Sequence, residues 1–187
     1  LEDKSANFPK RLSETGLFRN TAKQIPNPGV HEFAVYEPMW QDGAVATRYI
    51  ALANRSRIDT EIVVHPNGGR RITVTWPPDA VLAKTIRLGI RPVETQILHH
   101  DGEAWNAYSY RWNPAATDAD LVAAAGAEFA VPADSWQGGS RYRISGRAQC
   151  QRCHNVWNGY ALAFQPVQIA PFPNHRTQPA REVAVAL

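Results

Sequence analysis

Both cysteines of the chain stand in one pentapeptide, Cys150-Gln151-Arg152-Cys153-His154, with a histidine directly after the second. This arrangement fastens a haem covalently to a polypeptide. The two sulfurs can add to the two vinyl groups of one porphyrin, and the adjacent imidazole is then held under the iron as its proximal ligand. The position of the motif constrains the fold as much as its chemistry does. Small all-helical cytochromes carry it near the amino terminus, on the first helix, whereas here it begins at position 150 of 187. The expectation is one haem c, bound through Cys150, Cys153 and His154 to a different scaffold and docked near the carboxy-terminal part.

The same residues admit plainer readings. A bare Cys-x-x-Cys can be a redox dithiol, a local disulfide or half of a tetrahedral zinc site. Zinc needs two more ligands; there is no third cysteine, although His99-His100 could complete a Cys2His2 set. A thioredoxin-like dithiol belongs at the start of a helix within a βαβ unit, and the surrounding sequence shows no such alternation. If haem is bound, its distal ligand is open. Met39 is the only methionine and lies in a Pro-constrained, aromatic-rich segment that could present it to iron, though a flexible thioether also fills core gaps. His99 is the alternative; it and His100 point to opposite faces of a strand, so at most one could reach the iron. Arg147 and Arg152 flank the motif and could pair with haem propionates. Trp157 and Tyr160 follow it closely and could wall the porphyrin, or pack in the core.

The rest of the chain reads as strands and turns. Ala46 to Leu52 mixes apolar and polar residues in a strand-like way, Arg71 to Trp76 alternates, and Val81 to Leu88 is β-branched. Glu94 to His99 and Trp105 to Trp112 flank His100-Asp101-Gly102-Glu103, which predicts an antiparallel hairpin pairing the regions of Ile97 and Tyr108. A further strand is expected around Ser140 to Ile144. One short helix is expected from Thr117 to Gly126, because Thr117 can cap, Asp118 and Asp120 suit the positive end of the dipole, and Gly126 can stop it. Residues 1–38, broken by Pro9, Gly16, Pro26, Pro28 and Gly29, read as irregular chain wrapped on a core. The fold class is thus mainly β: a single antiparallel, β-sandwich-like domain with one short helix and long loops.

Charge and hydropathy exclude some functions. A net charge of +3 is mild, and the twenty Lys and Arg are dispersed among seventeen acids, so no basic stripe for nucleic acid appears. No apolar run approaches the roughly twenty residues needed to span a bilayer. There is no Gly-x-Ser-x-Gly elbow, His-Glu-x-x-His or phosphate loop. Asp42 and Glu94 have no partner at a catalytic spacing, and Glu94, in a strand near several arginines, reads as half of a structural ion pair.

Several segments carry a family resemblance: Glu37-Pro38-Met39-Trp40-Gln41-Asp42-Gly43-Ala44, Trp76-Pro77-Pro78-Asp79-Ala80-Val81-Leu82-Ala83-Lys84-Thr85, Glu94-Thr95-Gln96-Ile97-Leu98, Tyr110-Arg111-Trp112-Asn113, and Arg147-Ala148-Gln149-Cys150-Gln151-Arg152-Cys153-His154. Their order and spacing, over about residues 15 to 168, resemble a family of secreted bacterial haem-binding domains. Members of that family occur beside quinoprotein-type sugar dehydrogenase propellers or carbohydrate-binding modules. The resemblance implies an electron-transfer module in a sugar- or polysaccharide-oxidising system. Where this chain has Met39 and Gln96, relatives are expected to carry Leu and Arg, so a role for Met39 must be argued from chemistry.

Taken together, the sequence reads as one domain, residues 1–187 with a core at about 15–170 and linker-like flanks such as Pro171-Phe172-Pro173-Asn174-His175. It is expected to be a monomeric part of a larger periplasmic or secreted protein, exchanging electrons with a redox partner protein. Two alternatives stand beside electron transfer. One is a haem enzyme or sensor with an open distal site for peroxide or a small gas; the other is a carbohydrate-binding β-sandwich with a structural metal, suggested by six tryptophans.

Overall fold

The computed structural model describes residues 7–36, 38–39, 41–64, 66–68, 70–132, 137–165 and 168. Its main element is a six-stranded antiparallel sheet built from β3 (Val30–Phe33), β4 (Val45–Ala51), β7 (Val81–Leu88), β8 (Arg91–His100), β9 (Trp105–Trp112) and β10 (Ala119–Leu121), in the order β10-β9-β8-β7-β4-β3. Three two-stranded ribbons accompany it: β1 (Phe18–Asn20) with β2 (Ile25–Pro26), β5 (Asp59–Val64) with β6 (Arg70–Thr75), and β11 (Ala127–Ala130) with β12 (Arg141–Ile144). The single α-helix among the described residues is α1 (Arg147–Cys153), and it carries the attachment motif. The mainly β, antiparallel, non-helical-bundle architecture expected from the sequence is therefore what the chain adopts.

The central strands are buried on both faces, and a period of two sorts their residues between them. On one face Tyr49, Ala83, Ile97 and Tyr108 are register partners in turn. They pack under the amino-terminal segment, with Leu12, Leu17 and Phe18 in the same buried cluster. Residues 7–36 are thus more structured than the sequence suggests: a 3-10 turn at Leu12–Thr15 and the β1–β2 ribbon lie against this face, and β3 joins the sheet itself as an edge strand beside β4. The buried hydroxyls there are satisfied, since Thr85 and Thr95 share a hydrogen bond of 2.8 Å and the Trp112 indole N–H donates to Thr95 at 3.0 Å. The opposite face carries Ile50, Leu82, Leu98 and Ala107 in one register row and Arg48, Lys84, Gln96 and Ser109 in the next. This second face, covered by the β11–β12 ribbon and the segment around α1, holds the candidate site.

The predicted hairpin is present, with Ile97 opposite Tyr108. Its turn is closed by Asp101, whose carboxylate accepts from the backbone N–H of Glu103 and Ala104 at 3.0 and 2.8 Å. The helix expected from Thr117 to Gly126 does not form. Ala119, Asp120 and Leu121 instead pair with Trp112, Arg111 and Tyr110 as edge strand β10. The residues read as a helix cap are otherwise engaged: Asp118 accepts from the Ser13 backbone N–H and hydroxyl, and the Thr117 backbone N–H donates to Asn113. An isolated helix this short is marginal in water, so pairing with a sheet edge and covering Trp112 prevails.

Gly126 still matters, as a crossing point. Its φ is +87°, and a Cβ there would lie 2.4 Å from the Ile144 carbonyl oxygen. The facing Gly146 is also tight, with a Cβ meeting the Ala124 carbonyl oxygen at 2.9 Å. This approach lets the Arg147 N–H donate to the Ala124 carbonyl at 2.9 Å, anchoring the start of α1 beside β9. Trp40 and the stretch Pro171 to His175, expected to begin a linker, lie outside the described residues.

Candidate functional site

Strand β12 delivers the chain to Gly146, and α1 begins there, with the Gln149 side chain returning to accept the Gly146 N–H at 3.1 Å. One turn of helix then sets Cys150 and Cys153 on the same side, because residues three apart are neighbours on a helix surface. Both thiols are free. The helix stops at His154, whose N–H donates to the Cys150 carbonyl at 2.9 Å.

The next six residues fold back upon that histidine. Asn155 starts the 3-10 turn Val156–Asn158, its side-chain oxygen accepting from the Trp157 and Asn158 N–H groups at 2.9 and 3.3 Å. Gly159 (φ +62°) and Tyr160 (φ +57°) reverse the chain. The Tyr160 carbonyl arrives 2.6 Å from His154 Nδ1. A carbonyl can only accept, so Nδ1 is the donor, and a neutral His154 keeps its free lone pair on Nε2. A carbonyl bonded to one ring nitrogen in this way fixes both the tautomer and the orientation of the ring.

Cys150, Cys153 and His154 line one side of a cavity of about 430 Å³, within the range that small-molecule ligands and cofactors occupy. Its floor is the sheet face described above, bearing Leu82, Leu98 and Ala107 beside Arg48, Lys84, Gln96 and Ser109. Phe33, Val35 and Met39 close another side, and the 3-10 turn Leu162–Phe164 contributes Leu162 and Ala163. Met39 is 69% exposed, so it is a rim residue of the cavity and not a core gap-filler.

The other expected site residues lie elsewhere. His99 stands on the opposite sheet face, 3.4 Å from the Asp79 carboxylate and against the Phe8 ring. His100 contacts the Pro77 carbonyl and the Trp105 ring. Neither lines the cavity. Among the described residues no group of three or more His, Cys, Asp or Glu gathers, so the Cys2His2 set that the sequence allowed is not assembled. Trp157, at 89% exposure, does not line the cavity, and Tyr160 contributes its carbonyl to His154. Arg152 is exposed, and the Arg147 guanidinium sits 5.1 Å over the Tyr108 ring.

Electrostatics bear on the dithiol reading of the cysteine pair. Burial, with Glu94 nearby adding to it, pushes the Cys150 thiol above its ordinary pKa of 9.0. A nucleophilic dithiol needs the opposite, a depressed thiol at an electropositive site. Glu94, expected to pair with an arginine, is instead 2% exposed and accepts from the Tyr142 hydroxyl at 2.8 Å and the Gln96 amide at 3.1 Å. Burial raises its pKa against those hydrogen bonds. Three of the six tryptophans, Trp76, Trp105 and Trp112, are buried, so the core accounts for them without a sugar platform.

Sequence reasoning missed Arg48, Lys84, Ser109 and the Tyr160 carbonyl as parts of this site. The first three share it only through strand register, and the last is a backbone group that no side-chain motif announces. No family model, curated protein or solved structure matches the chain. No helix among the described residues is long and apolar enough to cross a membrane.

Proposed function

We propose that this chain is a mono-haem c-type cytochrome domain that passes single electrons in an extracytoplasmic, sugar- or polysaccharide-oxidising system. The observation that carries the reading is the hydrogen bond from His154 Nδ1 to the Tyr160 carbonyl, made beside two free thiols on one cavity. It leaves a lone pair on the nitrogen that a haem iron would take, next to sulfurs three residues apart on a helix. The donor set fits the cofactor: Cys150 and Cys153 would tether haem c, His154 would hold the iron, and the apolar row Leu82, Leu98 and Ala107 would exclude water from it. Bound there, the cofactor supplies one-electron chemistry, its potential set by axial ligand, burial and hydrogen bonding.

Met39 is the candidate distal ligand, since it is the only thioether in the chain and stands on the cavity rim. A six-coordinate iron favours electron transfer over ligand binding. The test is optical: protein made in a host that matures c-type cytochromes should show a reversible ferrous–ferric spectrum and resist carbon monoxide. Rapid carbon monoxide binding by the wild type would give the lead to a sensor or peroxide-using enzyme, and a haem-free product from that host would end the cytochrome reading.

A further inference from the structure

The cavity has a chemical polarity that the attachment motif leaves unused. Arg48 of β4 lies opposite Lys84 of β7, Lys84 opposite Gln96 of β8, and Gln96 opposite Ser109 of β9, so these side chains form one row across four strands. All four line the cavity, and no Asp or Glu does so among the described residues. Neither Arg48 nor Lys84 has a carboxylate within ion-pair distance among the described residues. The acid that acts on Lys84, Glu94, belongs to the next row and accepts hydrogen bonds from Tyr142 and Gln96.

From this arrangement we infer that Arg48 and Lys84 are the anion-binding end of the cavity, and that on the haem reading above they take the two propionate carboxylates of the cofactor. Two adjacent half-buried cations with no carboxylate at ion-pair distance among the described residues are a liability that a dianionic ligand removes. The cost is visible in both groups: burial lowers the Arg48 pKa, and burial together with the neighbouring Arg48 lowers that of Lys84 to about 8. The adjoining apolar row suits the porphyrin body, and hydrogen bonds to ionised groups are the stronger kind that repay ordering. Arg147, the arginine beside the motif, lies over Tyr108 and does not line the cavity.

The test uses haem-free polypeptide and two probes, hemin and its dimethyl ester, which lacks the carboxylates. Wild-type protein should bind hemin about tenfold or more tighter than the ester, the loss expected for one charge-assisted hydrogen bond. The double variant Arg48→Gln/Lys84→Gln should lose that preference, and Arg147→Gln should keep it. Equal affinity of wild type for hemin and ester overturns the assignment while leaving the haem reading in place. Failure of wild type to bind either probe overturns this inference, while the haem reading stands or falls on the product of the maturing host.

Discussion

Lys84 offers a thermodynamic prediction that needs no cofactor. In the folded chain its pKa falls from 10.5 to about 8, chiefly by burial and then by Arg48, with Glu94 opposing. At about 1.4 kcal/mol per pH unit, holding the ammonium in the cavity costs the fold about 3 kcal/mol. The sign follows from proton counting. Between pH 8 and pH 10.5 the unfolded chain binds this proton and the folded chain does not, so the cost is full below pH 8 and is relieved as pH rises. Lys84→Met removes the charge while keeping a long apolar stem. In urea unfolding of the haem-free chain, the variant should exceed wild type by about 3 kcal/mol at pH 7, and the gap should close towards pH 10.5. Tyr110 and Tyr142 also have raised pKa values, but they are present in both proteins and cancel in the difference. A gap independent of pH, or a wild type more stable at pH 7, would refute the reasoning.

Three further outcomes follow from the site and its supports. Met39→Ala in haem-loaded protein should abolish a near-infrared sulfur-to-iron band, lower the potential and admit carbon monoxide; an unchanged spectrum and potential would remove Met39 from the iron. Gly126→Ala should destabilise by about 2 kcal/mol more than Gly29→Ala in chemical denaturation. Both glycines have φ near +85°, but Gly29 has open space where a Cβ would go and Gly126 has the Ile144 carbonyl, so equal effects would contradict the close crossing. Asn155→Ala removes the cap of the turn that carries Tyr160 and should cost about 1 kcal/mol. In haem-loaded protein it should also shift the potential, which a purely structural role would leave in place.

The sequence was legible where local chemistry and tertiary structure agree. Val81–Leu88 and Trp105–Trp112 form strands with the expected limits, because β-branched and aromatic residues run up to Gly89 on one side and the Asp101-Gly102 turn on the other. It misled at Thr117 to Gly126, where cap-forming residues serve strand β10 and its contacts with Ser13 and Asn113. The cysteine pair and His154 were evident as a motif, and Met39 was evident as a lone thioether. Helix α1 was not, since Arg147–Cys153 spans too few residues to show a helical period. The Arg48, Lys84, Gln96 and Ser109 row was invisible for a different reason: four residues spread over some sixty positions meet only when three strand registers are known.

The central claim is that Cys150, Cys153 and His154 hold a covalent haem, and the most direct measurement is intact mass under denaturing conditions after production in a haem-maturing host. The account predicts one haem mass retained on each wild-type chain, with retention weakened or lost in Cys150→Ala and Cys153→Ala. A wild-type chain of bare polypeptide mass from that host, particularly one carrying stoichiometric zinc under native conditions, would contradict it.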